Sequence, residues 1–537
     1  MAAAVSGAFP VCLDQQRASA EEEEMKKKQM ALMEKLRNKR TSQHRSWTDS
    51  LMKSVRTTGG DRRLQADGSE RVQVQKCLDT LQRAMKVISQ QSLVERLDLI
   101  ARQQGLSFHH NDNEPSVKLQ ADMFHIEIIL NKGGGVKEVK IAHQGDASVC
   151  HELTEILGRG DFPEFTSHLE GLQSIYQVTA EKKLKSKAFL ALQSLEKDLN
   201  SVAQFQTSIS GVANYIHKSP LGILLPRTAG KPMKLIYFVS PYDLLDKTTN
   251  SAHPMTVEAI TEHGLGRSVT VCLEPGPPIK LQTMPLVSFN KTSDGNCLPS
   301  FTGLSQGNSA LLPAHFVLVL SQPIPIALSL IHKFQTITGL DTAKEMGTQP
   351  LLSLILDSNS GGKMRKDQQL YVTLPGQNQL YFINGVSGGP LNEPGVMLSR
   401  IPFSHPTHVP KILSLLRQQL LFNSILTSCV RPSAKKDPTT NLVFEMTVIS
   451  LTQMMIVFEH PACDTIVTVD IDMSDITSLK CSLQCSNTEH SICSDDFASR
   501  VLQRCLSLPI LMRSLVLQGQ VQLEKLMAEA RAQAEEL

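Results

Sequence analysis

The sequence predicts an α+β protein in which a helical N-terminal part is joined to a longer β-rich part by one amphipathic helix. The joining stretch, residues 181–205, carries apolar side chains at alternating spacings of four and three, which keep one face of an α-helix against a partner. These side chains are Ala188, Leu192, Leu195, Leu199 and Val202. After this stretch, for about two hundred residues, apolar residues alternate or form short runs between Pro and Gly, which is typical of strands.

The composition is that of a globular protein. The chain has 537 residues, of which 41% are hydrophobic and 20% charged, and this length suffices for roughly two to four domains. The net charge is +2, too small for a protein that binds nucleic acid by neutralising many phosphates. Aromatic residues make up 5%, with Trp47 the one tryptophan, which argues against a base-stacking surface. We therefore expect no direct contact with nucleic acid.

Cysteine usage and hydropathy predict a soluble intracellular protein. Eleven cysteines are scattered from Cys12 to Cys505 without the dense framework of a disulfide-stabilised domain, which is typical of reduced thiols in the cytosol or nucleus. The N-terminus lacks the basic and apolar regions of a signal peptide. Even the apolar run SLPILMRSLVL is interrupted by Arg513, so we expect no membrane span.

Changes in pattern along the chain predict five segments. They are a charged N-terminal helical segment and linker at 1–69, a helical region with a β-hairpin at 70–210, a β-rich domain at 211–406, a helix, four strands and a helix at 407–517, and a polar C-terminal helix at 518–537.

The first segment pairs Glu and Lys at helical spacing within residues 18–40. The basic cluster that follows, Lys35–Arg45, fits a nuclear-import or phosphate-contacting patch, although a solvated helix face is the favoured interpretation. Beyond a linker at 57–69, apolar residues from Val74 to Ile88 predict a helix. A second helix is predicted to be capped by Ser92 and to end at Gly105.

Residues 122–143 predict a β-hairpin that turns through Gly133–Gly135. A triple glycine also suits a phosphate cradle, but that requires a helix to follow directly, and VKEVKIA alternates like a strand. Helices are predicted again from Val149 to Gln204, one of them capped by Asp161.

The β-rich part is predicted to contain the strands KLIYFV, MTVEAI, SVTVCL, HFVLVL, SLILD, QLYVTL and QLYFI. One helix, at about Ala327–Ile337, interrupts them, and Lys291–Leu311 is the longest predicted loop. A helix at about Val409–Leu426 then precedes the strands LVFEMTVI, QMMIVFEH, TIVTVDID and SLKCSLQC. Short connections favour an antiparallel meander covered by helices, the last beginning at Asp495 or Asp496 and running through Leu517.

Three motifs suggest chemistry, and each has a better structural explanation. Gly303–Gly307 matches the G-x-S-x-G pattern, but it precedes a strand and lacks the required strand-to-helix context. Cys481, Cys485, His490 and Cys493 resemble a zinc-binding set, yet two cysteines four residues apart on a strand lie roughly 13 Å apart, too far for one tetrahedral ion. The segment Gly361–Met364 lacks the upstream glycine and the Ser/Thr of a phosphate-binding loop. We therefore predict no catalytic, metal-binding or cofactor-binding residue.

One short motif suggests protein recognition. Leu221, Leu224 and Leu225 form an LxxLL match of the kind that docks as a short helix in a receptor groove. Gly222 disfavours a helix by about 1 kcal/mol, and Pro226 ends the run after little more than one turn. Buried leucines in a connector are the favoured interpretation. A degenerate relative at Ile412–Leu416 lies within a longer amphipathic helix.

Several long segments resemble the conserved region of metazoan Mediator complex subunit 1. They are KLKSKAFLALQSLEKDL, FVSPYDLLD, LLPAHFVLVLSQPIPI, YVTLPGQNQLYFIN, HVPKILSLLRQQL and DDFASRVLQRCLSLPILMRSL. The resemblance runs in order from about residue 70 to 517. It implies a nuclear, non-enzymatic subunit of the middle module of Mediator, the coactivator that connects transcription activators with RNA polymerase II.

The resemblance also implies partners: other middle-module subunits and, beyond them, transcription factors. In the family, a long tail carries the LxxLL boxes that bind nuclear receptors, and this sequence stops at Leu537 without one. We therefore expect a tail-less paralogue or isoform for which direct receptor binding is unsupported. The alternatives are a scaffold of another intracellular complex and, least favoured, an unrecognised enzyme.

Overall fold

The protein has the predicted mixed α+β architecture. The computed structural model describes residues 89–535, except for short gaps at 112–114, 132–134, 144, 146, 179, 205–210, 247, 292–296, 342–346, 361–368, 387–388, 431–440, 462, 464 and 486–491. The predictions for residues 1–88 lie outside the described residues. None of the described helices is both long and apolar enough to cross a membrane.

The chain begins, within the described residues, with one helix and an antiparallel sheet. Helix α1 spans Gln90–Gln103 and starts with a capping box in which Ser89, not Ser92, is the N-cap: the Ser92 N–H donates to Ser89 Oγ at 3.2 Å. The sheet has the order β1-β2-β3-β4-β5. Its strands are β1 (Ser107–His110), β2 (Ser116–Gln120), β3 (His125–Leu130), β4 (Val136–Ala142) and β5 (Ser148–Val149). The predicted hairpin is the pair β3–β4, so that prediction is confirmed.

Three helices follow: α2 (His151–Gly158), α3 (Phe162–Ser174) and α4 (Lys182–Gln204). Asp161 caps α3 as predicted, since its Oδ1 accepts the Glu164 N–H at 3.0 Å. The predicted apolar face of α4 is buried throughout, and the helix packs across two long central strands.

The central sheet has six antiparallel strands in the order β14-β17-β13-β10-β7-β6. They are β6 (Ile223–Leu225), β7 (Lys234–Phe238), β10 (Arg267–Gln282), β13 (Ser309–Ala327), β14 (Gln349–Pro350) and β17 (Pro394–Phe403). Two further pairs stand beside it: β8 (Leu245–Asp246) with β9 (Ser251–Ala252), and β11 (Val287–Lys291) with β12 (Cys297–Phe301). The loop prediction for 291–311 was therefore wrong, because strand residues occupy much of it.

The helices of this central part are α5 (Val212–Lys218), α6 (Val257–Glu262), α7 (Leu328–Thr338) and α8 (Leu351–Ser360). Helix α7 confirms the predicted helix, whereas α6 and α8 replace the predicted strands MTVEAI and SLILD. The Thr256 hydroxyl accepts the Ala259 N–H at 3.2 Å and caps α6. Leu351 and Ile355 are fully buried one turn apart on α8. This helical spacing could not be recognised in the sequence, because a short run of mostly apolar residues fits a buried strand equally well.

The C-terminal sheet contains the four predicted strands and two more, in the order β15-β16-β18-β19-β20-β21. Its strands are β15 (Gln369–Leu374), β16 (Gln377–Gly385), β18 (Asn441–Ser450), β19 (Gln453–Glu459), β20 (Ile466–Asp472) and β21 (Lys480–Cys485). Strands β18 to β21 form the predicted antiparallel meander. The hairpin β15–β16, assigned from the sequence to the β-rich part, joins it through a parallel pairing with β18.

Three long helices complete this part: α9 (His408–Thr427), α10 (Asp495–Cys505) and α11 (Leu508–Glu535). Ser494, rather than either aspartate, is the N-cap of α10. The predicted helix through Leu517 is broken at Leu506, whose φ is +44°. The predicted polar C-terminal helix is the continuation of α11.

One hydrophobic core runs through the described residues from Leu93 to Val516. A smaller cluster forms around Ile216, Ile236 and Ile260. The described residues, from 89 to 535, form one compact unit. Side chains before and after positions 210 and 406 belong to the same core, and the segment boundaries drawn from the sequence stay a prediction.

Candidate functional site

The chemistry-bearing motifs are dispersed in the structure. Ser305 lies in a turn where its N–H donates to Asn308 Oδ1 at 2.7 Å, and no helix follows it. Cys481 is buried on β21, where burial raises its pKa to about 12, while His490 and Gly361–Met364 fall outside the described residues. Among the residues that the structure describes, no group of three His, Cys, Asp or Glu side chains is placed to hold a metal ion.

The LxxLL match is part of a sheet edge. Leu221 is fully buried, and Leu224 and Leu225 belong to β6, which pairs with β7. Gly222 has a φ of +76°, and a Cβ there would lie 2.1 Å from the Ile236 carbonyl oxygen. The segment therefore has strand rather than helix geometry. In the degenerate match, Ile412, Leu413 and Leu416 are fully buried on α9.

Helix α4 is fixed to the central strands by a buried carboxylate. Asp198 is 1% exposed and accepts hydrogen bonds from Gln282 Nε2 at 2.8 Å, from the Leu286 N–H at 2.9 Å and from the Val287 N–H at 3.1 Å. One side chain thus holds the end of β10 and the start of β11 against the helix. A buried acceptor shared by three donors fixes the position of both elements.

A second carboxylate of α4 reaches the segment after β6. Arg227 donates to Glu196 Oε1 through Nη2 at 2.6 Å and through Nε at 2.9 Å. Burial raises the pKa of Glu196 despite the opposing charge of Arg227. A buried ion pair of this kind fixes geometry more than it adds stability.

Helix α9 joins the central and C-terminal sheets. Gln419 Oε1 accepts the Ala327 N–H at 3.2 Å at the end of β13. On another face of the same helix, Gln418 Nε2 donates to the carbonyls of Leu451 and Met473 at 3.2 and 3.1 Å. The two sheets are therefore held in one orientation by polar contacts as well as by the core.

An open cavity of about 830 Å³ lies beside α9. We call it the basic groove and define it by the end of α5 (His217, Lys218, Pro220), α7 (Lys333, Thr336, Ile337), the first half of α9 (Pro410, Lys411, Ser414, Leu415, Arg417, Gln418) and the loop between β20 and β21 (Ser474–Ile476).

Positive charge dominates this groove. Lys218, Lys333 and Lys411 are exposed, and in the described part of the chain none of them is within 4 Å of a carboxylate. The one carboxylate of the lining, Asp475, accepts from the N–H and the hydroxyl of Thr477 at 2.8 and 2.7 Å. These bonds, together with smaller contributions from the charges of Lys218 and Lys480, lower the pKa of Asp475, and they hold its carboxylate in its own loop.

Arg417 is a buried cation of the groove lining. It is 5% exposed, and its Nε donates to the Tyr237 carbonyl oxygen at 2.9 Å, while Nη2 has no hydrogen-bond partner among the described residues. Burial lowers its pKa to about 10, so the guanidinium stays charged at neutral pH. Burial, together with that charge, lowers the pKa of His217 to about 4, and its Nε2 accepts the Val239 N–H at 3.3 Å. His217 is therefore neutral at pH 7.

Comparison with known protein families shows to which family the chain belongs. The family model described as Mediator of RNA polymerase II transcription subunit 1 matches residues 75–431, which is more than half of the chain. The chain belongs to the Mediator subunit 1 family. The matched region includes α4, the whole central sheet and all of α9.

Two curated members of the Mediator subunit 1 family extend the match. The Xenopus laevis protein is 37% identical over 500 residues, covering 90% of this chain and 32% of its own length. The Drosophila melanogaster protein is 34% identical over 508 residues, covering 93% and 34%. A putative Dictyostelium discoideum member is 32% identical over 106 residues. This chain spans about a third of the length of the animal relatives.

The sequence alone did not identify the residues that build the basic groove of this Mediator subunit 1 family member. Arg417 lies among buried apolar residues of α9, between Leu416 and Leu420, where a charged side chain is out of pattern. That departure was the available signal. Lys218, at the end of α5, and Lys333, in the middle of α7, gave none, because an exposed lysine on a helix is ordinary.

Proposed function

We propose that the chain is a non-enzymatic subunit of the Mediator coactivator complex, working in the nucleus within the middle module. There it connects transcription activators with RNA polymerase II. Membership of the Mediator subunit 1 family carries this proposal, because similarity to the animal members covers at least 90% of the chain. The role needs no cofactor and no membrane.

The proposed mechanism is that of a rigid connector. Asp198 fixes α4 to the central strands, and α9 holds the central and C-terminal sheets together. The two sheets share one close-packed core in the described residues. We therefore expect them to move together as a single rigid body when a partner binds to either sheet. Such a body serves an assembly by presenting surfaces in fixed geometry.

The proposed partners are other middle-module subunits, with transcription factors as a second class. Direct nuclear-receptor docking through Leu221, Leu224 and Leu225 is not part of the proposal. In the structure these residues form a buried connector and an edge strand, and a receptor groove that takes LxxLL motifs requires a helix.

Affinity purification tests the proposal. An epitope-tagged chain is expressed in cells of the organism from which the sequence comes. It is recovered from nuclear extract, and the co-purifying proteins are identified by mass spectrometry, with a tag-only control. We expect Mediator subunits to be the dominant co-purifying proteins. Recovery of an unrelated assembly, or of the tagged chain alone, would reject the proposed role.

A further inference from the structure

We propose that the basic groove binds an acidic peptide segment of a partner protein, with the peptide's carboxylates at the lysine rim and its apolar side chains against the walls. The groove would serve such a ligand whether or not the chain enters Mediator. Four observations support this assignment: the local charge, the buried Arg417, the helix end and the apolar walls.

The charge of the groove exceeds that of the whole protein. Four cations line it, Lys218, Lys333, Lys411 and Arg417, against one carboxylate, Asp475, which leaves a net charge of 4 − 1 = +3. The full chain, 54 basic and 52 acidic residues, carries +2. Positive charge is therefore concentrated here, and a concave site with walls of low dielectric constant strengthens its attraction for anions.

Arg417 adds a charge that the protein itself leaves uncompensated. A buried guanidinium is normally paired, because an isolated charge with low solvent exposure is strongly destabilising. Here no carboxylate lies within 4 Å of it among the described residues, and one backbone carbonyl is its hydrogen-bond acceptor. Nη2 is shielded from solvent, so Arg417 acts on a ligand mainly through its field. A carboxylate in the groove would supply the missing negative charge.

The beginning of α9 reinforces the same preference. The helix has 20 residues, starts at His408, and its N-cap Thr407 makes no side-chain capping bond. Pro410 and Lys411 of its first turn line the groove. The partial positive charge of a long helix at its N-terminus stabilises nearby anions.

The walls favour a peptide over a nucleic acid. Pro220, Ile337, Pro410, Leu415 and Ile476 supply apolar surface between the cations. No Phe, Tyr or Trp is among the described lining residues, and the one ring there, the imidazole of His217, already packs against Phe238 with ring centroids 5.5 Å apart, so the groove offers a base little surface for stacking. A volume of about 830 Å³ accommodates several side chains, and alternating acidic and apolar residues match its lining.

Fluorescence anisotropy with the purified full chain tests the assignment. The probe is a fluorescein-labelled 15-residue peptide of alternating Asp/Glu and Leu, and its control replaces every Asp and Glu by Asn and Gln. A groove variant removes the three exposed cations (Lys218→Ala, Lys333→Ala, Lys411→Ala). A matched variant removes three exposed lysines elsewhere (Lys137→Ala, Lys187→Ala, Lys197→Ala) and so has the same net charge.

The acidic peptide should bind the wild type in the micromolar range, and the groove variant at least about 10-fold more weakly. The matched variant should stay within about 2-fold of the wild type, and the neutral peptide should bind at least about 10-fold more weakly than the acidic one. Arg417→Met, which removes the buried charge at similar volume, should also weaken binding while circular dichroism shows the native fold.

Three results would overturn the assignment. The first is no binding of the acidic peptide by the folded wild type. The second is an equal loss in the groove and matched variants, which would mean attraction by net charge alone. The third is tighter binding of single-stranded poly(U) RNA or of anionic phosphatidylserine vesicles, lost in the groove variant, which would assign the groove to a different macromolecule.

Discussion

Asp198 occupies the apolar face of α4, three residues after Leu195 and four before Val202. A carboxylate at the spacing of a buried stripe is the sequence signal of a polar contact inside the core, because an unpaired charge would not be stable there. The sequence identified the stripe but not the role of Asp198. Its donors, the Gln282 side chain and the Leu286 and Val287 N–H groups, lie more than 80 residues along the chain, and no local pattern pairs residues at that distance.

Removing this carboxylate should destabilise the protein strongly. Asp198→Ala leaves two buried donors, of Gln282 and Leu286, and the half-buried Val287 N–H without this acceptor, and we expect the free energy of unfolding to fall by about 3–5 kcal/mol. Asp98→Ala is the matched control, since Asp98 pairs with exposed Arg102 on α1 and such pairs contribute about 0–1 kcal/mol. Urea denaturation at neutral pH measures both. Equal losses of stability in the two variants would show that the buried contacts of Asp198 stabilise the protein no more than an exposed ion pair does.

The half-buried His143 should make the fold sensitive to mild acid. Burial, aided by the charge of Arg227, lowers the pKa of His143 to about 4, below its ordinary value of 6.5. The unfolded chain therefore binds a proton that the folded chain does not, so stability is complete above pH 6.5 and is lost as pH falls towards 4. His143 also stacks on Phe189 with centroids 4.6 Å apart and lies 2.8 Å from the Tyr176 hydroxyl.

A His143→Gln variant tests this dependence. Between pH 7 and pH 5 the wild type should lose about 1–2 kcal/mol more stability than the variant. The measurement is urea denaturation at each pH. The compared quantity is the change in the free energy of unfolding with pH, because the stability that the variant loses with the stacking contact is the same at every pH and cancels. Parallel curves for the wild type and the variant would contradict the assignment.

At the scale of elements, α3 and the turn after β6 pack backbone against backbone. A Cβ on Gly171 of α3 would lie 2.0 Å from the Gly230 carbonyl oxygen. Contact this close has no room for a methyl group, and backbone atoms cannot rotate away as a side chain does. The glycine is therefore a packing requirement.

Two alanine substitutions on neighbouring helices should have opposite signs. Gly171→Ala should lower the melting temperature, since overpacking typically costs about 1–3 kcal/mol. Gly158→Ala, in α2 with nothing within 4 Å of the added Cβ, should raise it slightly, because alanine favours a helix by about 0.5–1 kcal/mol over glycine. Differential scanning fluorimetry compares the two. A stabilising Gly171→Ala would contradict the close approach.

The edge strand β6 determines what the LxxLL match can do. Forming a receptor-bound helix would require unpairing β6 from β7 and exposing buried Leu221, and that cost subtracts from affinity. We expect agonist-bound receptor ligand-binding domains to capture the chain weakly or not at all in a pull-down. The control is Leu224→Ala with Leu225→Ala. Strong capture of the wild type, lost in a variant that stays folded, would make this segment a receptor box.

For the whole molecule, local patterns were predictable and long-range pairings were not. The stripe of α4, the hairpin β3–β4 and the meander β18–β21 rest on neighbouring residues, and periodicity predicted them. MTVEAI and SLILD were misassigned because a short apolar run fits a buried strand and a buried helix equally. The parallel pairing of β16 with β18 joins strands separated by β17 and α9. The basic groove likewise assembles from four separate segments, so no single stretch revealed it.

The most direct test of the central claim, that this folded chain works as a rigid Mediator subunit, is sedimentation of nuclear extract on a density gradient. The account predicts that the tagged wild type and a Lys197→Ala variant, altered at an exposed position of α4, migrate with the Mediator complex. The core variant Leu195→Ala, destabilised by about 2–5 kcal/mol, should be depleted from those fractions. Migration of folded wild type as a free 59.2 kDa chain, separate from the complex, would contradict the claim.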